Sequence, residues 1–230
     1  MAPKILIILT SHDKLGTTGK PTGWFLPELA HPYDEFTSAG FEIATASPAG
    51  GIAPLDPGSI EMFKEDPSSV AFLQNHKSVW ENTDKLSDYL GRADEFDAVF
   101  VPGGHGPMFD LAVDPVSQKV IAEFAEKGKV VAAVCHGPGA FVNVKLGGGG
   151  HLLEGKEVTG FSNAEEDIMG LSGAMPFLLE DKLKEGGGRF VKAEEPWGAK
   201  VVVDGRLVTG QNPASAKGVG EAVVKAVRGG

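Results

Sequence analysis

The chain has 230 residues, enough to bury a substantial core, and its 42% hydrophobic and 23% charged residues are ordinary for a soluble globular protein. A formal net charge of −10 excludes a general affinity for nucleic acid or an anionic membrane surface. One cysteine permits no intrachain disulfide, and the apolar run near the N-terminus is too short for a signal-peptide core or a membrane span, so the expected location is cytoplasmic.

Residues 4–10 (KILIILT) form the continuous apolar run of a central parallel strand. A polar loop over 11–21 follows, then helical spacing over 22–39, with Phe25, Leu29 and Phe36 on one face and Pro27 and Pro32 expected to shorten or kink the helix. Gly40 closes it, and 41–47 (FEIATAS) alternates as a second strand. From 48 to 90 the pattern weakens, with prolines punctuating short helical pieces. Residues 95–102 (EFDAVFVP) predict a third strand, ending in Gly103-Gly104-His105-Gly106, a loop whose backbone can approach a ligand closely. A helix is predicted over 113–127, with Asp114 as N-cap and Pro115 in its first position.

The stretch 129–141 (KVVAAVCHGPGAF) reads as a buried strand that turns sharply at Cys135 and His136, after which Gly-Pro-Gly opens a helix. Residues 156–161 (KEVTGF) predict a strand, Ser162 opens a short helix, and 176–185 is helical. Late strands are predicted at 189–193, 199–204 and 206–209, the last two joined by a tight turn at Asp204-Gly205. Asn212-Pro213 caps a final helix that runs to about Val227. Strands alternating with helices predict an α/β fold, a mostly parallel sheet covered on both faces, in a single domain over 1–230.

Cys135 is the candidate nucleophile. A lone cysteine is commonly a small core residue. Here, however, Ala133 to Gly137 form A-x-C-x-G, a relative of the G-x-S-x-G elbow in which a strained turn presents the nucleophile at the carboxyl edge of a sheet. A following helix N-terminus would favour the thiolate. The backbone N–H of His136, with that of Gly103 or Gly104, could bind an oxyanion. His136, beside the nucleophile, is the candidate base. His105 either lines the pocket or shapes its turn. Of the two carboxylates in Ser162-Asn163-Ala164-Glu165-Glu166, Glu165 completes a capping box with Ser162, which leaves Glu166 as the partner of His136. Glu28 is either a solvent-facing helix position or a carboxyl in an apolar pocket, kept partly protonated beside a thiolate or a substrate oxygen. Trp197, in the turn Glu195-Pro196-Trp197-Gly198, is the tryptophan expected to border the pocket. No nucleotide fingerprint occurs, and the histidines lack metal-ligand spacing in sequence.

Taken together, Thr22-Gly23 with Glu28, Leu29-Ala30-His31-Pro32, Gly104-His105-Gly106 with Phe109-Asp110, 132–138 (AAVCHGP), Thr159-Gly160-Phe161 with Glu166, and 204–216 (DGRLVTGQNPASA) resemble the ThiJ/PfpI superfamily. Within it the chain looks like the glutathione-independent glyoxalase (glyoxalase III) branch, which includes heat-shock-inducible, chaperone-like proteins. The resemblance implies a flavodoxin-like fold of the class I glutamine-amidotransferase type. It implies a Cys135–His136–Glu166 triad, with Glu28 hydrogen-bonded to the cysteine. It also implies a homodimer with no metal or organic cofactor, and conversion of a small 2-oxoaldehyde such as methylglyoxal to D-lactate. The H-x-E motif of the superfamily's amidotransferases is missing after Cys135, which disfavours glutamine hydrolysis. A stress holdase and a cysteine hydrolase (peptidase or deglycase) are the alternatives.

Overall fold

A computed structural model describes residues 2–229. The elements in chain order are β1 (Lys4–Ile8), α1 (Leu26–Ser38), β2 (Glu42–Ser47), α2 (Pro57–Met62), α3 (Pro67–Asn75), α4 (Ser78–Glu81), β3 (Asp84–Lys85), β4 (Ala98–Val101), α5 (Pro115–Glu126), β5 (Val130–Val134), β6 (Glu157–Val158), α6 (Asn163–Met169), α7 (Leu179–Glu185), β7 (Arg189–Phe190), β8 (Val201–Asp204), β9 (Leu207–Gly210) and α8 (Ala216–Val227).

The main sheet has the order β3-β2-β1-β4-β5-β9-β8. Every pair is parallel except the β8–β9 hairpin. The chain moves one way across the sheet from β1 to β2 and the other way from β4 to β5. Right-handed crossovers therefore put α1 and α5 on opposite faces. The apolar runs at β1, β4 and β5 are buried from end to end, as strands covered on both faces must be. Phe36 of α1 meets Phe100 of β4 edge-on at 5.7 Å, and Phe124 of α5 packs 5.9 Å from Phe96. The strand order reverses between β1 and β4. Ligand crevices of open α/β sheets form at such a switch point, outside the carboxyl ends of the strands.

Several boundaries differ from the sequence expectations. Helix α1 starts at Leu26 rather than at 22, because the backbone from Thr22 to Phe25 is spent on extended contacts: Trp24 N–H donates to the Pro54 carbonyl and Phe25 N–H to that of Gly103. The segment after Cys135 is no α-helix. Gly137–Phe141 makes a single 3₁₀ turn, in which Gly139 N–H donates to the His136 carbonyl, since two glycines and a proline support α-geometry poorly. Of the strand expected over 156–161, only Glu157–Val158 is extended, and it pairs with Arg189–Phe190 in a separate two-stranded sheet. The β8–β9 turn is Gly205-Arg206, one residue later than expected, because Asp204 still pairs with Leu207. Asp114 caps α5 as predicted, accepting from the amides of Val116 and Ser117.

Phe100 is fully buried at the sheet centre. Phe100→Ala should cost about 3–5 kcal/mol by leaving a cavity. Urea unfolding followed by circular dichroism measures it, and a loss near zero would contradict this placement.

Candidate active site

Cys135 directly follows β5 with φ +60°; among the described residues only Trp197, at +67°, shares a left-handed backbone without being glycine. Such a backbone is costly for a side chain with a Cβ and persists only where its surroundings enforce it. Here two hydrogen bonds do so. The Cys135 N–H donates to the Gly210 carbonyl at 2.9 Å, and its carbonyl accepts from Phe161 N–H at 2.8 Å. The side chain is thereby turned out of the strand, yet it is only 4% exposed.

Two side chains face the thiol, His136 and Glu28. His136 Nδ1 lies 3.4 Å from Sγ, and its Nε2 lies 2.6 Å from Glu166 Oε2. Ionised Glu166 can only accept, so the hydrogen bonds assign the proton to His136 Nε2 and leave Nδ1 as a bare lone pair facing the thiol. Burial, helped by His105, holds His136 below the ordinary histidine value against the pull of Glu166. Burial alone would raise Glu166, but His136 and His105 outweigh it and keep this carboxyl far below the usual range. His136 is therefore neutral and Glu166 ionised near pH 7.

Glu28, from the first turn of α1, is fully buried, and burial pushes its carboxyl up to about 8. The Cys135 thiol and the amides of Gly103 and Gly104 approach it and pull the other way. Neither carboxyl oxygen has a partner of good hydrogen-bond geometry among the described residues, so we read these approaches as contacts that tighten when charge develops. The fit is close: a Cβ on Gly103 would sit 2.5 Å from Glu28 Oε2 and 2.8 Å from Cys135 Cβ. Burial also pushes the thiol well up, and an ionised Glu28 would push it further. The expectation of a thiol lowered by a helix dipole is thus corrected. The 3₁₀ turn supplies little dipole, and a thiolate here needs a proton shared from Glu28 or taken by His136.

Glu165 has the capping role read from the sequence. Ser162 and Glu165 form the full capping box, and Glu165 Oε1 also accepts from Trp197 N–H at 3.0 Å and Asn212 Nδ2 at 2.8 Å. Trp197 is 42% exposed and stands edge-on to Phe161 at 5.6 Å, while Phe161 lies 4.3 Å from the His136 ring. Trp197 therefore borders the site through Phe161. His105 does not approach the thiol; its Nε2 lies 3.2 Å from Glu166 Oε1. Sequence reasoning gave no role to Phe161 or Gly210 and only a helix cap to Asn212, whose side chain instead donates to Glu165 and the Gly198 carbonyl, although all three lie within the motifs 159–161 and 204–216.

His105, His136 and Glu166 offer donor atoms within 4.8 Å of one another, a set that could hold a metal ion. Distant in sequence, they escaped the spacing argument. Each of their facing atoms already satisfies another of the set, so this geometry calls for no ion.

The DJ-1/PfpI family model matches residues 27–226. The chain belongs to this family. Among DJ-1/PfpI relatives, it is 34% identical to Glyoxalase 3 of Candida albicans, over 97% of this chain and 98% of that protein. It is also 34% identical to the glutathione-independent glyoxalase HSP31 of Saccharomyces cerevisiae, covering 94% of each. The crystal structure of Candida albicans glyoxalase III superposes with a TM-score of 0.89 at 33% identity, covering 97% of both chains. The flavodoxin-like α/β architecture is thus that of the family.

The raised carboxyl of Glu28 has a thermodynamic signature. An acid whose folded pKa is near 8 and whose unfolded value is 4.5 contributes full stability below pH 4.5 and loses it as pH rises through about 8. Glu28→Gln, which cannot ionise, should therefore lose less stability than the parent between pH 5 and roughly 9. Parallel pH profiles of the urea midpoint check this, and superimposable slopes would refute it.

Proposed function

We propose that the protein is a glutathione-independent glyoxalase, converting methylglyoxal or a similar 2-oxoaldehyde to D-lactate or the corresponding 2-hydroxy acid. The observation that carries this reading is the ring of groups around Sγ: an unprotonated nitrogen of His136 on one side and a buried, protonated carboxyl of Glu28 on another. A base and an acid flanking one nucleophile are what an internal oxidation–reduction between adjacent carbons requires.

In this scheme His136 Nδ1 takes the thiol proton and the sulfur adds to the aldehyde carbon. The new oxyanion is met by Glu28 and by the amides around Gly103 and His136, and it takes the proton back from the His136 imidazolium, which gives the hemithioacetal and restores Nδ1 as a base. His136 then removes the hydrogen from that carbon to give an enediol, and the proton is returned to the neighbouring carbon. The aldehyde carbon is now a thioester and the former ketone a hydroxyl, so one carbon is oxidised as the other is reduced. Water cleaves the thioester, releasing the hydroxy acid and restoring the thiol. Atoms and electrons balance without an external redox partner. Glu166 supports the imidazolium whenever His136 holds the extra proton. The same reading carries a cytoplasmic homodimer without metal or organic cofactor, as the family resemblance implies.

The test is D-lactate formation from methylglyoxal with glutathione omitted, read by a D-lactate dehydrogenase couple. Cys135→Ser should reduce kcat/KM by more than about a thousandfold while the fold is kept, since a nucleophile acting as part of a unit takes most of the rate with it. Turnover retained in Cys135→Ser would refute the mechanism. Turnover absent in the parent protein would refute the substrate.

A further inference from the structure

We infer that His105 is a positioning residue, which holds the Glu166 carboxylate in place and draws off part of its charge so that His136 stays an unprotonated base near neutral pH. The inference rests on the reading of Cys135 and His136 as nucleophile and base.

Its geometric ground is a carboxylate shared by two imidazoles. Glu166 Oε1 accepts from His105 Nε2 at 3.2 Å and Oε2 from His136 Nε2 at 2.6 Å, and the rings lie 4.2 Å apart, inclined at 44°. All three side chains are buried. His105 is offered from rigid backbone. Gly104, at φ +86°, sits so close to the preceding segment that a Cβ there would lie 2.2 Å from the Gly23 carbonyl, and Gly106 N–H donates to that same carbonyl. The imidazole therefore reaches Glu166 from a fixed direction.

A carboxylate bonded through one oxygen can turn about its last side-chain bond and present either oxygen to its partner. Bonded through both, it has one orientation, and His136 keeps the Nε2–H tautomer that frees Nδ1. The second donor also competes for charge. A buried ionised carboxylate aimed solely at His136 would stabilise the imidazolium, and a general base that is already protonated accepts nothing. Whether His105 is a neutral donor or a cation, its hydrogen bond weakens the pull of Glu166 on His136. The other titratable groups facing His136 are Cys135 at Nδ1 and Glu165 on α6, with Glu28 from α1 beyond the thiol. None of them engages Glu166 Oε1, which His105 holds.

The experiment is the pH dependence of kcat/KM for methylglyoxal in the parent, His105→Ala and His105→Gln, beside a titration of the His136 ring by long-range proton–nitrogen NMR. In His105→Ala the acid limb and the ring titration should both move to higher pH by about one unit, the order expected when a buried counter-charge acts undivided. His105→Gln, which restores an N–H donor, should bring both back towards the parent. If His105→Ala raises KM alone and leaves the acid limb and ring titration where they were, His105 is a substrate contact and the inference fails. It fails equally if the Gln variant titrates as the Ala variant does. Should the Ala variant not fold, the Gln comparison and the ring titration decide. The ring titration needs no turnover, so it tests this role even if methylglyoxal proves not to be a substrate.

Discussion

Everything at the site hangs on the left-handed backbone of Cys135. A residue in that conformation with a Cβ stores about 1–3 kcal/mol, and the sheet supplies the restraint. The Gly210 carbonyl at the end of β9 fixes the cysteine's amide, and the Phe161 amide fixes its carbonyl. These two bonds join three parts of the chain that carry functional groups. β5 brings Cys135 and His136. The segment ending at Phe161 leads directly into α6 with Glu165 and Glu166. β9 leads through Asn212 to the bond that secures Glu165. Loss of either bond would release both the strain and the alignment.

Three glutamates within one small region show how environment decides the role of a side chain. Glu28 is enclosed by apolar packing and glycine backbone, and burial keeps it protonated. Glu166 is also buried but faces two imidazoles and is ionised. Glu165 accepts from Ser162, Trp197 and Asn212, and its bonds to Asn212 and Ser162 overcome the burial that would raise it. Of the three, only Glu28 is left with a proton to give, and His136 Nδ1 faces the thiol with a lone pair to receive one.

Much of this was legible in the sequence, for identifiable reasons. Buried parallel strands announce themselves as unbroken apolar runs, so β1, β4 and β5 were clear. The elbow at Cys135 has its own signature of small residues. The capping box is a local pattern, and by assigning Glu165 it singled out Glu166. What local pattern left open is non-local. Nothing near residue 28 says whether its carboxyl faces water or a thiol, since that depends on Gly103 approaching from β4. The role of Gly210 depends on strand order. The extended path of residues 22–25 is dictated by the carbonyls of Pro54 and Gly103 and overrides a helical pattern. KEVTGF reads as a strand by composition, but its second half leaves the ladder so that Thr159 can bond Thr209 and Phe161 can bond Cys135.

The strand order also governs when the site comes into being. β1 must wait for β4, since Ile5 pairs with Ala98, and β5 must wait for β9, since Val131 pairs with Leu207. Pairings so distant along the chain make folding slow. The carbonyl that secures Cys135 belongs to Gly210, near the end of the sequence, so a growing chain carries this cysteine long before its cage can close. Throughout that interval it lacks the burial that raises its pKa in the folded protein, and it is open to any electrophile in its surroundings. Modification of Cys135 by an electrophile is thus expected chiefly in newly made chains, before the packing that buries it has closed.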